Sequence, residues 1–238
     1  MATFEEQVEG ITGLTISSSD TNPTQDQLTE FLKDGVIDVT NRVLMLRPQD
    51  SEDFVVESTE SSSQGALSTD GGKILHVMRE SGTNDDWRNC RKIPIGLKDR
   101  VTDPSSLHYA SAYNPAYILS QYGAVLVFPA PSGSSGQYRI YYVNKTPVDN
   151  ASGASLAYGA STIRYFPDDK VYLVVIYASI KSLEQKLADY AHDEEDVELV
   201  GGMNAAIASL KQQYEMAFQL MIPPQARQQA QPRQRARA

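Results

Sequence analysis

The feature that most constrains this chain is a double change of hydrophobic period. Apolar residues recur at helical spacing near the start, at strand-like spacing through the middle, and at helical spacing again towards the end. Thr3 followed by Glu6 has the form of a capping box, and Phe4, Val8 and Ile11 fall on one face of a short predicted helix. A polar connector, residues 15–24, leads to a second capping box, Thr24 with Gln27. From Leu28 the positions Phe31, Leu32, Val36, Val39, Val43 and Leu46 make a helical stripe that Pro48 ends. Gly35 lies inside that helix at a cost of roughly 1 kcal/mol relative to alanine. Either a close helix–helix contact or tolerated drift accounts for it.

Between residues 51 and 165 the period is that of strands. Runs at 54–58, 73–78, 124–128 and 138–143 are rich in β-branched and aromatic residues, and clusters of Ser, Gly, Asn and Pro separate them. The last two runs flank a loop containing Pro129, Pro131, Gly133 and Gly136, which predicts a long-looped hairpin. After Pro167 the helical period returns. Leu173, Ile176, Tyr177, Ile180, Leu183, Leu187 and Tyr190 form one stripe, and Val171, Val174, Val175 and Ala178 cover the opposite side. A helix apolar nearly all round must be buried on two sides. A polar hinge at 192–196 and a break at Gly201-Gly202 follow. A last helix is then expected from about Asn204 to Met221, with Ile207, Leu210, Tyr214, Ala217, Phe218 and Met221 on one side. The expected class is α+β: a helical bundle (1–50 and 166–222) interrupted by an antiparallel β domain (51–165), with an extended basic arm at 223–238.

Charge sharpens this. The net charge is −9, which argues against a body built to grip nucleic acid. Residues 223–238 nonetheless carry Arg227, Arg233, Arg235 and Arg237 and no acid, so the remainder is more acidic still. That segment holds no hydrophobic residue larger than alanine and cannot bury a core of its own. The single cysteine, Cys90, excludes a disulfide framework within the chain. The start of the sequence lacks the pattern of a signal peptide, and no apolar run is long enough to span a bilayer. A soluble protein made in a reducing cytoplasm is expected, with no membrane partner.

Chemistry is hard to find. His76, His108 and His192 are scattered without the spacing of a metal site. Gly71-Gly72 reads as a turn, not a phosphate cradle, and Gly133-Ser134-Ser135-Gly136 is no nucleophile elbow. Cys90 has cationic neighbours in sequence that could lower its pKa, yet a lone cysteine without a base is usually structural. The acids at 193–198 lack calcium-loop spacing. No cofactor and no catalytic residue is expected.

The layout resembles the head-to-tail adaptors of short-tailed bacteriophages, the tail tubular or connector proteins. The opening at 2–14 and the segment 28–36 are similar to phage virion proteins. Val127-Phe128-Pro129-Ala130-Pro131 with Tyr138-Arg139-Ile140-Tyr141-Tyr142 resembles the adaptor β insertion, and Phe166-Pro167-Asp168-Asp169 leading into residues 174–178 resembles its returning helix. The segment 79–116 matches nothing in that family. The resemblance implies a ring, usually dodecameric, in the virion neck between a portal protein and a tail nozzle protein, with DNA passing through its lumen. On that reading Arg227, Arg233, Arg235 and Arg237 bind the portal. Val171, Val174, Val175 and Ala178 serve subunit or bundle packing, and the loop with Pro129, Pro131, Gly133 and Gly136 faces the tail. Two other readings stand beside it: another virion interaction protein, or a nucleic-acid-binding module acting through the arginine tail.

Overall fold

Both capping boxes form. In the computed structural model, which describes residues 2–19, 21–69, 71–82, 85–120, 123–133, 136–190 and 197–222, the Thr3 and Thr24 side chains each accept a backbone N–H. The side chains of Glu6 and Gln27 reach back to the cap amides of Thr3 and Thr24. They open α1 (Phe4–Thr12) and α2 (Gln25–Leu46). Two orphan donors are satisfied at each helix start, which places these boundaries by local chemistry alone. A 3-10 stretch, Pro48–Phe54, follows α2. The remaining helices are a short α3 (Lys98–Val101), α4 (Val171–Tyr190) and α5 (Val197–Met221).

The chain divides into two compact units. One combines Met1–Asp50 with the chain from Thr146 onward, and the other is Ser51–Lys145. The first boundary falls where the period changes. The second lies at 145/146, twenty residues before the expected 165, because residues 146–166 are irregular structure built onto the helices. Their Ala160 and Tyr158 carbonyls accept the Phe4 and Glu5 amides at 2.8 and 3.1 Å, two of the unpaired donors at the start of α1. Tyr158 N–H donates to Thr29 Oγ1 at 3.1 Å, and Leu156, Ile163 and Phe166 are buried.

In the helical unit α4 is central and packs against α1, α2 and α5. The two-sided burial read from its sequence is present: Leu173, Val174, Val175, Ala178, Ser179, Ile180, Ser182 and Leu183 are all buried. Gly35 decides the α2–α4 spacing. A Cβ there would stand 3.1 Å from Tyr177 Cδ1 and 3.3 Å from Val174 Cγ1, so the close-contact reading holds. Ile11, expected on the inner face of α1, is instead 47% exposed, because the helix ends one residue later and only Phe4 and Val8 reach the core. Helix α5 runs straight through Gly201-Gly202. Both glycines are exposed with nothing near a would-be Cβ, so the expected break costs helix propensity only.

The second unit holds two sheets. The strands are β1 (Val55–Glu57), β2 (Ile74–Glu80), β3 (Trp87–Asn89), β4 (Arg91–Lys92), β5 (Ala116–Leu119), β6 (Val125–Phe128) and β7 (Tyr138–Val143). One sheet has the order β1-β7-β2-β3, the other β4-β5-β6. The expected hairpin between β6 and β7 does not exist. Strand β7 has β1 on one edge and β2 on the other, so β6 finds no free edge there and pairs with β5 instead. The pairing is antiparallel except for the short β4–β5 contact, which is parallel. The β5–β6 pair is covered on both faces. Tyr117, Val125 and Val127 pack with Val77, Tyr138 and Ile140 of the first sheet, while Ala116, Ile118 and Phe128 face Ile93, Val101 and Ala110. Residues alternate between the two cores with the period of the pleat. The Gln64 side chain closes the outer edge of β6, donating to the Val127 carbonyl at 2.7 Å and accepting its amide at 3.1 Å.

Candidate functional site

Of the expected contact residues, Val174, Val175 and Ala178 are 0–3% exposed within one chain, and Val171 is half-buried. Val174, Val175 and Ala178 pack the bundle and leave no surface for a neighbouring copy. Outside α4, the α2–α5 contact is held by a polar and aromatic clamp. Arg42 bonds Asp38 at 2.9 Å and Glu215 at 2.6 Å while its guanidinium lies 5.2 Å from the Tyr214 ring centre and 5.4 Å from that of Phe218. The Tyr214 hydroxyl donates to Asp38 at 2.7 Å, and burial together with that bond pushes its pKa up. On the α4–α5 side, Glu184 is paired with Lys211 at 2.7 Å and Lys181 at 2.9 Å. Burial opposes its ionisation, but the two ammonium groups win and its pKa is lowered.

The segment 129–136 is where a rigid scaffold and an exposed loop meet. It crosses from one sheet to the other, and a buried arginine ties its start. Arg79, on β2 and only 5% exposed, donates from Nε to the Pro129 carbonyl at 2.9 Å and from Nη2 to the Ala130 carbonyl at 3.4 Å. Its Nη1 donates to the carbonyl of Glu80. Burial lowers the Arg79 pKa, with Cys90 and Glu80 acting the other way. The Glu80 carboxylate, also buried, accepts the amides of Asp85 at 3.3 Å and Gln137 at 3.4 Å. Gly136 admits no side chain, since a Cβ would stand 2.8 Å from the Ser132 carbonyl, and Gly133 has φ +59°. Pro129 and Pro131 are half-buried, and Ser132 and Gly133 are exposed. The four candidate loop residues are thus brought together on one anchored crossover. Arg79 was missed in sequence, where a strand arginine reads as an ordinary surface residue.

Cys90 is 6% exposed, and burial pushes its thiol up to about 12, with Arg79 only partly opposing. The cation that acts on it is Arg79 of β2, not those beside it in sequence. His76 is exposed on β2 and His108 half-buried in a loop. Among the described residues no group of three or more His, Cys, Asp or Glu side chains could hold a metal ion. No described helix is long and apolar enough to cross a membrane. Arg227, Arg233, Arg235, Arg237, His192 and the hinge at 192–196 lie outside the described residues.

The segment 93–113, which the sequence reading left unplaced, is an ordered excursion from β4 to β5. Arg91 Nη2 donates to the carbonyls of His108 at 2.8 Å and Tyr109 at 2.6 Å, and the Ala110 amide bonds the Val101 carbonyl at 3.0 Å. Its Ile93, Val101 and Ala110 are buried against β5 and β6. Leu97 packs partly against the same cluster, whereas Ile95, Leu107, Tyr109 and Tyr113 face outward. The missed signal is the run Ile93-Pro94-Ile95-Gly96-Leu97, which carries neither clean period. No family model matches the chain, and no curated protein sequence matches it.

Proposed function

We propose that this chain is a structural virion protein, a head-to-tail adaptor that forms a ring between the portal and the tail nozzle of a short-tailed phage and lets DNA pass. The observation that carries the reading is the architecture. A helical unit assembled from both ends of the chain is interrupted by a β unit at 51–145, the layout the adaptor resemblance implies. Three features support it. The net charge of −9 suits a lumen in which DNA slides without being held. The crossover that starts at Pro129 carries the exposed residues Ala130, Ser132 and Gly133 on a fixed scaffold, the kind of element that presents a docking contact to a downstream tail component. The arginines at 227, 233, 235 and 237 offer bidentate hydrogen bonds to carboxylates of a portal.

Electron microscopy of the purified protein with the portal protein from the same genome tests this. Rings stacked coaxially on portals are expected, and a variant ending at residue 222 should fold but fail to join them. A protein that stays monomeric beside intact portals, or antibody labelling scattered over the whole capsid, would overturn the reading. A truncated chain that still stacks would leave the adaptor standing and remove the arm.

A further inference from the structure

We infer that, in the free protein, the basic segment 223–238 folds back on its own chain. Pro223 and Pro224 fill an apolar groove between the last turns of α2 and α5, and Arg227 lies on Glu215 beside it. The inference goes beyond the adaptor reading and does not rest on it.

Helices α2 and α5 run side by side in one direction. Asp38 bonds Tyr214, Arg42 bonds Glu215, and Leu46 meets Ile222 where both helices end. There Met45, Leu46, Phe218 and Ile222 line a groove of about 220 Å³, with Arg42 and Glu215 along one side. Met45, on its wall, is 82% exposed. Glu215 spends one oxygen on Arg42, and its side chain is 57% exposed, so the carboxylate can accept a second donor.

The course of the chain names the occupant. Ile222 is itself a wall of the groove, and the next residues, Pro223 and Pro224, cannot continue α5. Neither has an N–H to offer the last carbonyls of that helix, which need donors from elsewhere. Arginine side chains are such donors, and the segment 223–238 holds four and no acid. The charge at the groove suits them. Neither helix has a base in its last turn, and the two C-termini end together, each worth about half a negative charge. The ion-paired side chains around them are Asp38, Asp50 and Glu215 against Arg42 and Arg47, which leaves an excess of acid. Reach is sufficient. Glu215 lies about 10 Å back along α5 at 1.5 Å per residue, while the chain from Ile222 to Arg227 spans up to about 17 Å. A segment already tethered at the groove is held there at high effective concentration, so a small contact suffices.

The test is the rate of disulfide formation within the full chain, in dilute solution under mild oxidation, with Cys90 left in place because it is buried. Ala226→Cys is combined either with Met45→Cys, in the groove, or with Leu220→Cys, 69% exposed on α5 and outside it. The Met45→Cys pair should close at least about fivefold faster than the Leu220→Cys pair, which the tether alone holds together. Arg227→Glu, or salt at about 0.5 M, should remove that advantage and leave the Leu220→Cys rate unchanged. With Met45 intact, ending the chain at residue 222 should shift the Met45 methyl resonance and leave that of Met78 in place. Equal rates for the two pairs would overturn the contact, as would an advantage untouched by salt and by Arg227→Glu, or a Met45 resonance unmoved by the truncation. None of these outcomes touches the adaptor reading, which is decided on portals.

Discussion

Cys90 and Gly35 show how a single residue's environment overrides its sequence neighbours. Burial holds the Cys90 thiol up at about 12, so native protein should react with a thiol reagent at pH 8 at least about a hundredfold more slowly than denatured protein. The unfolded thiol ionises near 9 and the folded one only near 12, so this group's contribution to stability is complete below about pH 9 and is lost as pH rises towards 12. Denaturation midpoints of wild type and Cys90→Ala compared across that window should converge at high pH, and parallel curves would count against the burial account. At Gly35 the contacts at 3.1 and 3.3 Å leave room for little more than a methyl group. Gly35→Ala should be nearly neutral, its helix-propensity gain of about 1 kcal/mol offset by the contact. Gly35→Leu should cost about 2–3 kcal/mol by overpacking, read from chemical denaturation.

At the scale of elements, the crossover at 129–136 depends on one buried side chain. Lysine cannot reproduce the three-carbonyl fork of Arg79, and methionine leaves those carbonyls without a donor. Arg79→Lys and Arg79→Met should each destabilise the β unit by about 1–3 kcal/mol. Amide exchange at Ala130, Ser132 and Gly133 should rise with little change at α4, and unchanged exchange there would show that the loop holds itself. The helices were legible because capping boxes and a 3.6-residue stripe are local. The strands β3, β4 and β5 were not. Trp87-Arg88-Asn89 has no alternation, and Ala116–Leu119 is apolar throughout because its sheet is covered on both faces, which erases the period-two signal.

For the whole molecule, the insertion leaves the bundle and returns to it through neighbouring strands. Val55 pairs with Val143 across β1 and β7, at a Cα separation of about 5 Å for such a pair. Replacing residues 51–145 with a short Gly-Ser linker should therefore leave α1, α2, α4 and α5 folded. Circular dichroism should show the helical signal retained with a cooperative melt. Loss of that signal would mean the two units fold only together.

Sequence by itself determined the α+β class, the helix starts at Thr3 and Thr24, the central burial of α4 and the boundary near residue 50. Each rests on interactions between residues a few positions apart. Tertiary structure decided the rest: that β6 pairs with β5 and not β7, that 146–166 belongs to the helices, that Arg79 points inward, and that Leu107 and Tyr113 point out. Those outcomes turn on which strand edge is free and which face is already covered. A strand carries the same backbone donors and acceptors on both edges, so its own residues do not name its partner, and only the positions of the other strands do.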